Sequence, residues 1–199
     1  MVIGEWGVRG NLICWGWGFG VGWGMRLDLP KTVVVMGVCG CGKTEVGRVV
    51  AGLMGGVFED ADGFHTEAAK AKMGAGTPLT DEDRWPWLER LRARIEAVRA
   101  EGKVYVLACS ALRGVYREKL REEDEAEVLR FVLLDGSREL IAERMGKRVG
   151  HYMPLSLLDS QLAILERSED LMAVSIEASV EVIAQGIVER LKKEGGANE

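Results

Sequence analysis

Thr32-Val33-Val34-Val35-Met36-Gly37-Val38-Cys39-Gly40-Cys41-Gly42-Lys43-Thr44 carries two signals side by side. Val33 to Met36 is a short, mostly β-branched apolar run of the kind that makes a strand buried on both faces. Gly37 to Thr44 then fits G-x-x-x-x-G-K-[ST] at every fixed position. Glycines let backbone N–H groups turn inward on a phosphate chain, Lys43 reaches the β/γ oxygens, and the Thr44 hydroxyl is placed to ligate Mg²⁺. A helical pattern follows at Val46, Val49, Val50 and Leu53, so strand, loop and helix stand in the required order. A glycine-rich turn without a ligand would not account for Lys43-Thr44. The nucleotide-binding candidates are therefore Gly37, Val38, Cys39, Gly40, Cys41, Gly42, Lys43 and Thr44.

The 199 residues allow one domain, or one domain and an appendage. A hydrophobic fraction of 47% and a charged fraction of 29% supply an ordinary globular core. The net charge of −5 argues against a nucleic-acid binder that depends on a basic surface. An anionic substrate must then be met by a local basic cluster. Cys14, Cys39, Cys41 and Cys109 show no zinc-type or paired spacing, which fits reduced thiols and a cytoplasmic setting. Cys39 and Cys41 read first as small residues that fit the loop. A second reading makes them thiols of lowered pKa that oxidise readily beside Lys43.

Residues 1–24 differ from the rest, with alternating glycine and tryptophan in Trp15-Gly16-Trp17-Gly18 and beyond. No continuous apolar stretch is present for a signal peptide or a membrane helix. The expectation is a disordered, non-essential extension with Met25 as the natural start, and an interfacial membrane anchor as the alternative. From Lys31 onward strands are expected near 32–37, 57–60, 103–109, 128–135 and 172–176. Helices are expected over 43–54, 65–74, 84–101, 113–122, 137–147, 155–166 and 178–193. This alternation implies an α/β fold with a parallel sheet covered on both faces by right-handed crossovers. Ligands then bind at the carboxyl ends of the strands.

Those ends carry the remaining candidates. Asp60 and Asp62 stand two apart after the second strand, where extended chain would point both carboxylates one way. One can hold Mg²⁺ or its water while the other orients an acceptor hydroxyl; the plainer reading is a solvated turn. His65 either donates to a polyol hydroxyl or caps the next helix. Thr80 and Asp83 resemble a capping pair, with Asp81 to Asp83 suited to a helix start. Arg84 is out of place there, because the macrodipole disfavours a first-turn cation, and so it calls for an anionic partner. Trp85 and Trp87 read as packing. After the third strand Ser110 is a natural N-cap, and Arg113 and Arg117 lie four apart on one helical face. Two guanidiniums can grip a carboxylate or phosphate; pairing to Glu118, Glu122 or Glu123 is the alternative. Arg148 falls in a Gly- and Pro-punctuated loop, either closing over a triphosphate or complementing a helix end.

Gly37–Thr44, Asp60-Ala61-Asp62 with His65, and Gly76-Thr77-Pro78-Leu79-Thr80-Asp81-Glu82-Asp83-Arg84-Trp85-Pro86-Trp87-Leu88 together resemble the gluconokinases. Cys109-Ser110-Ala111-Leu112-Arg113 with Tyr116-Arg117, and Gly150-His151-Tyr152-Met153, extend the resemblance, which runs from about Thr32 to Lys193. Gluconokinases are small-molecule kinases related to shikimate and nucleoside monophosphate kinases. The resemblance implies a P-loop NTPase three-layer sandwich over 25–199, with a five-stranded parallel sheet, a helical substrate-binding insertion near 65–100 and a lid near 146–156. It implies transfer of the ATP γ-phosphoryl group to the 6-hydroxyl of D-gluconate. Lys43, Asp62 and Arg148 would be catalytic, and Thr44 and Asp60 would hold Mg²⁺. Asp62, His65, Arg84, Arg113 and Arg117 would bind the substrate. No nucleic acid and no membrane is expected as partner, and a homodimer is left open. Another P-loop kinase of a small hydroxy acid and a non-catalytic ATP-binding module are the competing readings. Thr66, Glu45 and Arg167 depart from the family pattern without removing a phosphate or metal contact.

Overall fold

Alternation within the first strand decides how the layers assemble. In the computed structural model, β1 (Thr32–Met36) is buried along its whole length. Val33 and Val35 face one hydrophobic cluster. Val34 and Met36 face the other. A strand buried on both sides must be central, and β1 is: the five strands run in the order β2-β3-β1-β4-β5. The other strands are β2 (Val57–Asp60), β3 (Tyr105–Ala108), β4 (Leu129–Asp135) and β5 (Met172–Ser175), and all four pairings are parallel. The structure describes residues 29–75, 77, 79–122, 128–147 and 155–195.

Among the described residues seven α-helices flank the sheet: α1 (Lys43–Met54), α2 (Glu67–Gly74), α3 (Asp81–Ala100), α4 (Gly114–Arg121), α5 (Arg138–Gly146), α6 (Leu155–Ile164) and α7 (Val180–Gly195). Val46 and Val50 of α1, Ile141 of α5, Leu158 of α6 and Ile187 of α7 fill the core on the Val33 side. Leu88, Leu91 and Ile95 of α3, with Leu120 of α4, fill it on the Val34 side. The result is the expected three-layer sandwich over a five-stranded parallel sheet. None of the described helices is long and apolar enough to cross a membrane.

Local chemistry moved several boundaries. The segment after β2 is not helical from residue 65. A single 3-10 turn, Ala61–Phe64, comes first, and α2 starts only after Thr66, whose side chain accepts the Ala69 N–H. The third helix begins at Asp81 rather than 84, fixed by a full capping box between Thr80 and Asp83. Ser110 does not cap α4; Arg113 occupies that position in extended conformation, with no side-chain cap bond. The 1–24 extension and Arg148 lie outside the described residues, as does Gly150-His151-Tyr152-Met153.

Candidate active site

The loop after β1 is shaped by three glycines at positive φ: Gly37, Gly40 and Gly42. Gly37 is the tightest of them. A Cβ there would lie 2.9 Å from both Cys41 Sγ and the Leu134 carbonyl oxygen, so only glycine fits. The outer wall of the loop is built by later elements. A Cβ on Gly40 would lie 2.5 Å from Met145 Cγ of α5. Lys43 Nζ donates to the Val38 carbonyl at 2.9 Å, folding its ammonium over the loop.

Asp60 ends β2 on the next strand but one. Its Oδ2 accepts the Thr44 hydroxyl at 2.7 Å, and its Oδ1 accepts the Asp62 N–H at 3.1 Å. One carboxylate thus joins the first turn of α1 to the turn bearing Asp62. A hydroxyl and a carboxylate in contact are the sparse, hard-oxygen donor set that suits Mg²⁺, which keeps waters and takes phosphate oxygens for its other positions. Among the described residues no group of three or more His, Cys, Asp or Glu side chains could hold a metal by itself. Thr44 and Asp60 therefore fit Mg²⁺ as a companion of phosphate.

Asp62 does not reach the site by strand alternation, as the sequence suggested. It lies in the 3-10 turn, exposed, with no hydrogen-bond partner for its carboxylate among the described residues. The turn is held from α3: Trp87 Nε1 donates to the Ala61 carbonyl at 2.8 Å, and Arg90 Nε donates to the Phe64 carbonyl at 3.0 Å. His65 follows, 8% exposed, stacked on Trp87 with ring centroids 4.5 Å apart and planes within 10°. Thr66 does the capping, so His65 has no such role. Burial lowers its pKa, Asp62 opposes the shift, and Arg90, Arg84 and Lys70 reinforce it. The lowered pKa favours the neutral ring, and its buried Nδ1 has no hydrogen-bond partner among the described residues.

Arg84 finds the anion it called for inside the protein. Its Nη1 donates to the Tyr116 hydroxyl at 2.9 Å and lies 3.7 Å from Asp81 Oδ1. Arg113 Nη1 donates to Asp81 Oδ2 at 2.5 Å, and the Tyr116 hydroxyl donates to Asp81 Oδ1 at 2.5 Å. Both guanidiniums lie 5.4 Å from the centre of the Tyr116 ring. The Tyr116 hydroxyl and Arg113 together hold the Asp81 carboxyl below the usual range, and Arg113's own hydrogen bonds, to the Tyr116 hydroxyl at 3.4 Å and to Asp81, raise its pKa. Two cations thus share one carboxylate and one phenol.

Arg117 is not brought into that cluster. It is 5% exposed, and its Nη1 donates to the carbonyls of Ala111 and Leu112 at 3.1 and 3.2 Å. Nη2 donates to Ser168 Oγ at 3.3 Å. Arg113 precedes the helix in extended conformation, so the shared helical face assumed for Arg113 and Arg117 does not form. Ala111, at φ 40, is a left-handed non-glycine residue whose carbonyl Arg117 pins. Arg117 shapes the loop that presents Arg113.

No family model matches the chain. Individual relatives do. Gluconokinase from Gluconobacter oxydans (strain 621H) is 41% identical over 172 residues, covering 83% of this chain and 93% of that protein. The chain belongs to the gluconokinase family. The crystal structure of a gluconokinase from Sinorhizobium meliloti 1021 matches with a TM-score of 0.75 at 40% identity, covering 84% of this chain and 94% of that one. Shikimate kinase from Aquifex aeolicus vf5, at 16% identity and a TM-score of 0.53 over 84% of this chain and 99% of its own, shares the fold.

Within this gluconokinase-family site, sequence reasoning missed two side chains. Asp81 was assigned to the helix dipole alone, although its spacing to Arg84 is the i,i+3 separation of a helical ion pair. Tyr116 has no role that the sequence pattern announces, and nothing local marks its hydroxyl as the link between two arginines. The loop thiols also differ from the oxidation-prone reading. Burial raises the pKa of Cys39 and Cys41, and Lys43 offsets this only in part.

Proposed function

We propose that this chain phosphorylates D-gluconate at its 6-hydroxyl with ATP, giving 6-phospho-D-gluconate. The observation that carries the reading is the Thr44–Asp60–Asp62 chain of hydrogen bonds, which sets donor-side oxygens beside a free carboxylate. Membership of the gluconokinase family supports the choice of acceptor. Bound Mg²⁺, held by Thr44 and Asp60, would supply charge neutralisation on the phosphate oxygens.

Lys43 moves its ammonium from the Val38 carbonyl to the β/γ oxygens and balances charge there. The loop amides orient the phosphate chain without net charge of their own. Asp62 accepts the hydrogen bond of the attacking 6-hydroxyl, aims the oxygen in line and takes its proton as transfer proceeds. His65, neutral and wedged against Trp87, offers a ring nitrogen to a substrate hydroxyl. Arg84 and Arg113 take the carboxylate of the sugar acid, with Asp81 and Tyr116 fixing their spacing. Arg148 is assigned to charge on the transferring group through the family resemblance.

The test is a coupled ADP-release assay across D-gluconate, shikimate and nucleoside monophosphates. Turnover concentrated on D-gluconate is expected. Absence of turnover with gluconate would overturn the proposal, and turnover of shikimate instead would favour another hydroxy-acid kinase.

A further inference from the structure

The helix that follows Arg113 starts without a cap of its own. Arg113 stands at the N-cap of α4 in extended conformation, makes no side-chain cap bond, and no acidic residue lies in the first turn. A helix start leaves its first backbone N–H groups without intrahelical partners and favours negative charge beside them. The acceptor comes from 52 residues further along the chain, where Glu166 Oε2 accepts the Gly114 N–H at 2.6 Å. The Glu166 backbone adds a second bond, its N–H donating to the Leu112 carbonyl at 2.9 Å. These two bonds fall on the residues immediately before and after Arg113.

The segment that carries Glu166 is anchored on its own account. Leu165 packs against the hydrophobic clusters on both sides of the sheet. Arg167 Nη2 donates to Asp135 Oδ1, at the end of β4, at 2.8 Å. Ser168 Oγ accepts a bond from Arg117 Nη2, so Arg117 ties the same segment to the carbonyls of Ala111 and Leu112. The direct ion contact between Glu166 Oε1 and Arg113 Nε is 3.8 Å long and partly exposed, and contributes little beside these bonds. What Glu166 fixes is the backbone on either side of Arg113, from which the guanidinium reaches Asp81. A distant carboxylate does the capping, and the side chain at the N-cap position is left for the acceptor cluster.

We propose that Glu166 is a positioning residue for the acceptor carboxylate site, setting the Arg113 guanidinium through the Leu112–Gly114 backbone. The inference rests on the reading of Arg113 as a contact of the gluconate carboxylate. A general brace of the fold and a positioning residue differ in what they move. Loss of a brace lowers stability and disturbs both substrates or neither. Loss of a positioning residue weakens gluconate alone, and only while Arg113 is there to be positioned.

The experiment is steady-state kinetics of the full chain for wild type, Glu166→Ala, Glu166→Asp, Glu166→Gln, Arg113→Ala and the Glu166→Ala, Arg113→Ala double variant. Glu166→Ala removes a charged acceptor from the Gly114 N–H and should raise KM for gluconate by roughly tenfold or more. KM for ATP should stay within about twofold of wild type. Glu166→Asp keeps the charge but withdraws it by one methylene; it should raise KM for gluconate in the same direction, and it carries the test if Glu166→Ala does not fold. Glu166→Gln keeps an acceptor oxygen at the same reach and should stay within about threefold of wild type. In the double variant the loss should equal that of Arg113→Ala alone, because Glu166 then has nothing to position. An unmoved KM for gluconate in Glu166→Ala and Glu166→Asp overturns the proposal. So do an equal rise in KM for ATP, a Glu166→Gln as impaired as Glu166→Ala, and additive losses in the double variant. Arg113→Ala separates the two levels. If it leaves KM for gluconate unchanged the carboxylate-site reading falls, whereas if it raises KM and the Glu166 variants do not, only the role of Glu166 falls.

Discussion

Replacing Arg117 with Met separates a substrate-binding role from a structural one. The guanidinium makes three hydrogen bonds, to the carbonyls of Ala111 and Leu112 and to Ser168 Oγ. Counting each at the usual worth of a charged bond would suggest a loss of about 5–9 kcal/mol. The surroundings reduce this. The Leu112 carbonyl also accepts the Glu166 N–H at 2.9 Å, and Ser168 Oγ also bonds the Asp170 carboxylate. Only the Ala111 carbonyl is left without a partner, at a cost of about 1–3 kcal/mol. Releasing the buried cation offsets part of that, since burial already lowers the pKa of Arg117. Ala111 at φ 40 relaxes once unpinned, returning about 1–2 kcal/mol of left-handed strain at the expense of the loop's shape. The expected net loss is about 1 kcal/mol, small beside the roughly 5–15 kcal/mol by which a domain is stable. Urea unfolding followed by circular dichroism reads the stability, and steady-state kinetics well below the melting range reads the site. KM for gluconate should rise by less than about threefold, because no substrate contact is lost. A stability change under about 0.5 kcal/mol, together with a KM raised about thirtyfold or more, would refute the structural role and restore Arg117 to the carboxylate site.

Asp62→Asn should retain nucleotide affinity in calorimetry while kcat falls by about two orders of magnitude or more, the worth of a positioned general base; an unchanged kcat removes Asp62 from the mechanism. His65 should contribute an acid-sensitive term to stability. Its folded pKa lies below the ordinary value, so the stability is full above about pH 6.5 and is lost as pH falls through the folded pKa. The drop in urea midpoint between neutral and mildly acid buffer should therefore be smaller in His65→Asn than in wild type, and an equal drop in both would exclude His65 as its source. Peroxide treatment without reductant should leave turnover unchanged, because the loop thiols are buried and burial raises their pKa. Rapid inactivation that Cys39→Ser abolishes would contradict this.

The parts of the fold legible in the sequence were those set by local pattern. The apolar run Val33–Met36, the glycine spacing of the loop and the Thr80–Asp83 capping box each act over a few residues. Every strand fell where β-branched and apolar runs placed it. The helix starts at Glu67 and Gly114 were harder, because a 3-10 turn and an extended Arg113 interrupt the pattern for reasons that lie elsewhere in the chain. The same limit applies to the site. Thr44 and Asp60 were paired from motif and strand end alone, and their contact is 2.7 Å. Arg113 and Arg117 were paired by helical spacing, which placed Arg113 inside a helix that begins one residue later, at Gly114. Whether an arginine faces solvent or its own backbone depends on neighbours that spacing does not name. Glu166 and Tyr116 meet partners more than 30 residues away, and nothing in their immediate neighbourhood announces it.

The central position of β1 bears on how the chain is made. Its hydrogen-bonding neighbours are β3 and β4, and β4 begins only at Leu129. At ordinary rates of translation, some seconds pass between the emergence of Met36 from the ribosome and that of Leu129. During that interval a strand apolar on both faces has an unpaired edge, the surface on which nascent chains associate wrongly and which chaperones shield. The phosphate loop is therefore written early and assembled late. Its glycines and lysine exist as sequence long before the sheet that gives them a shape.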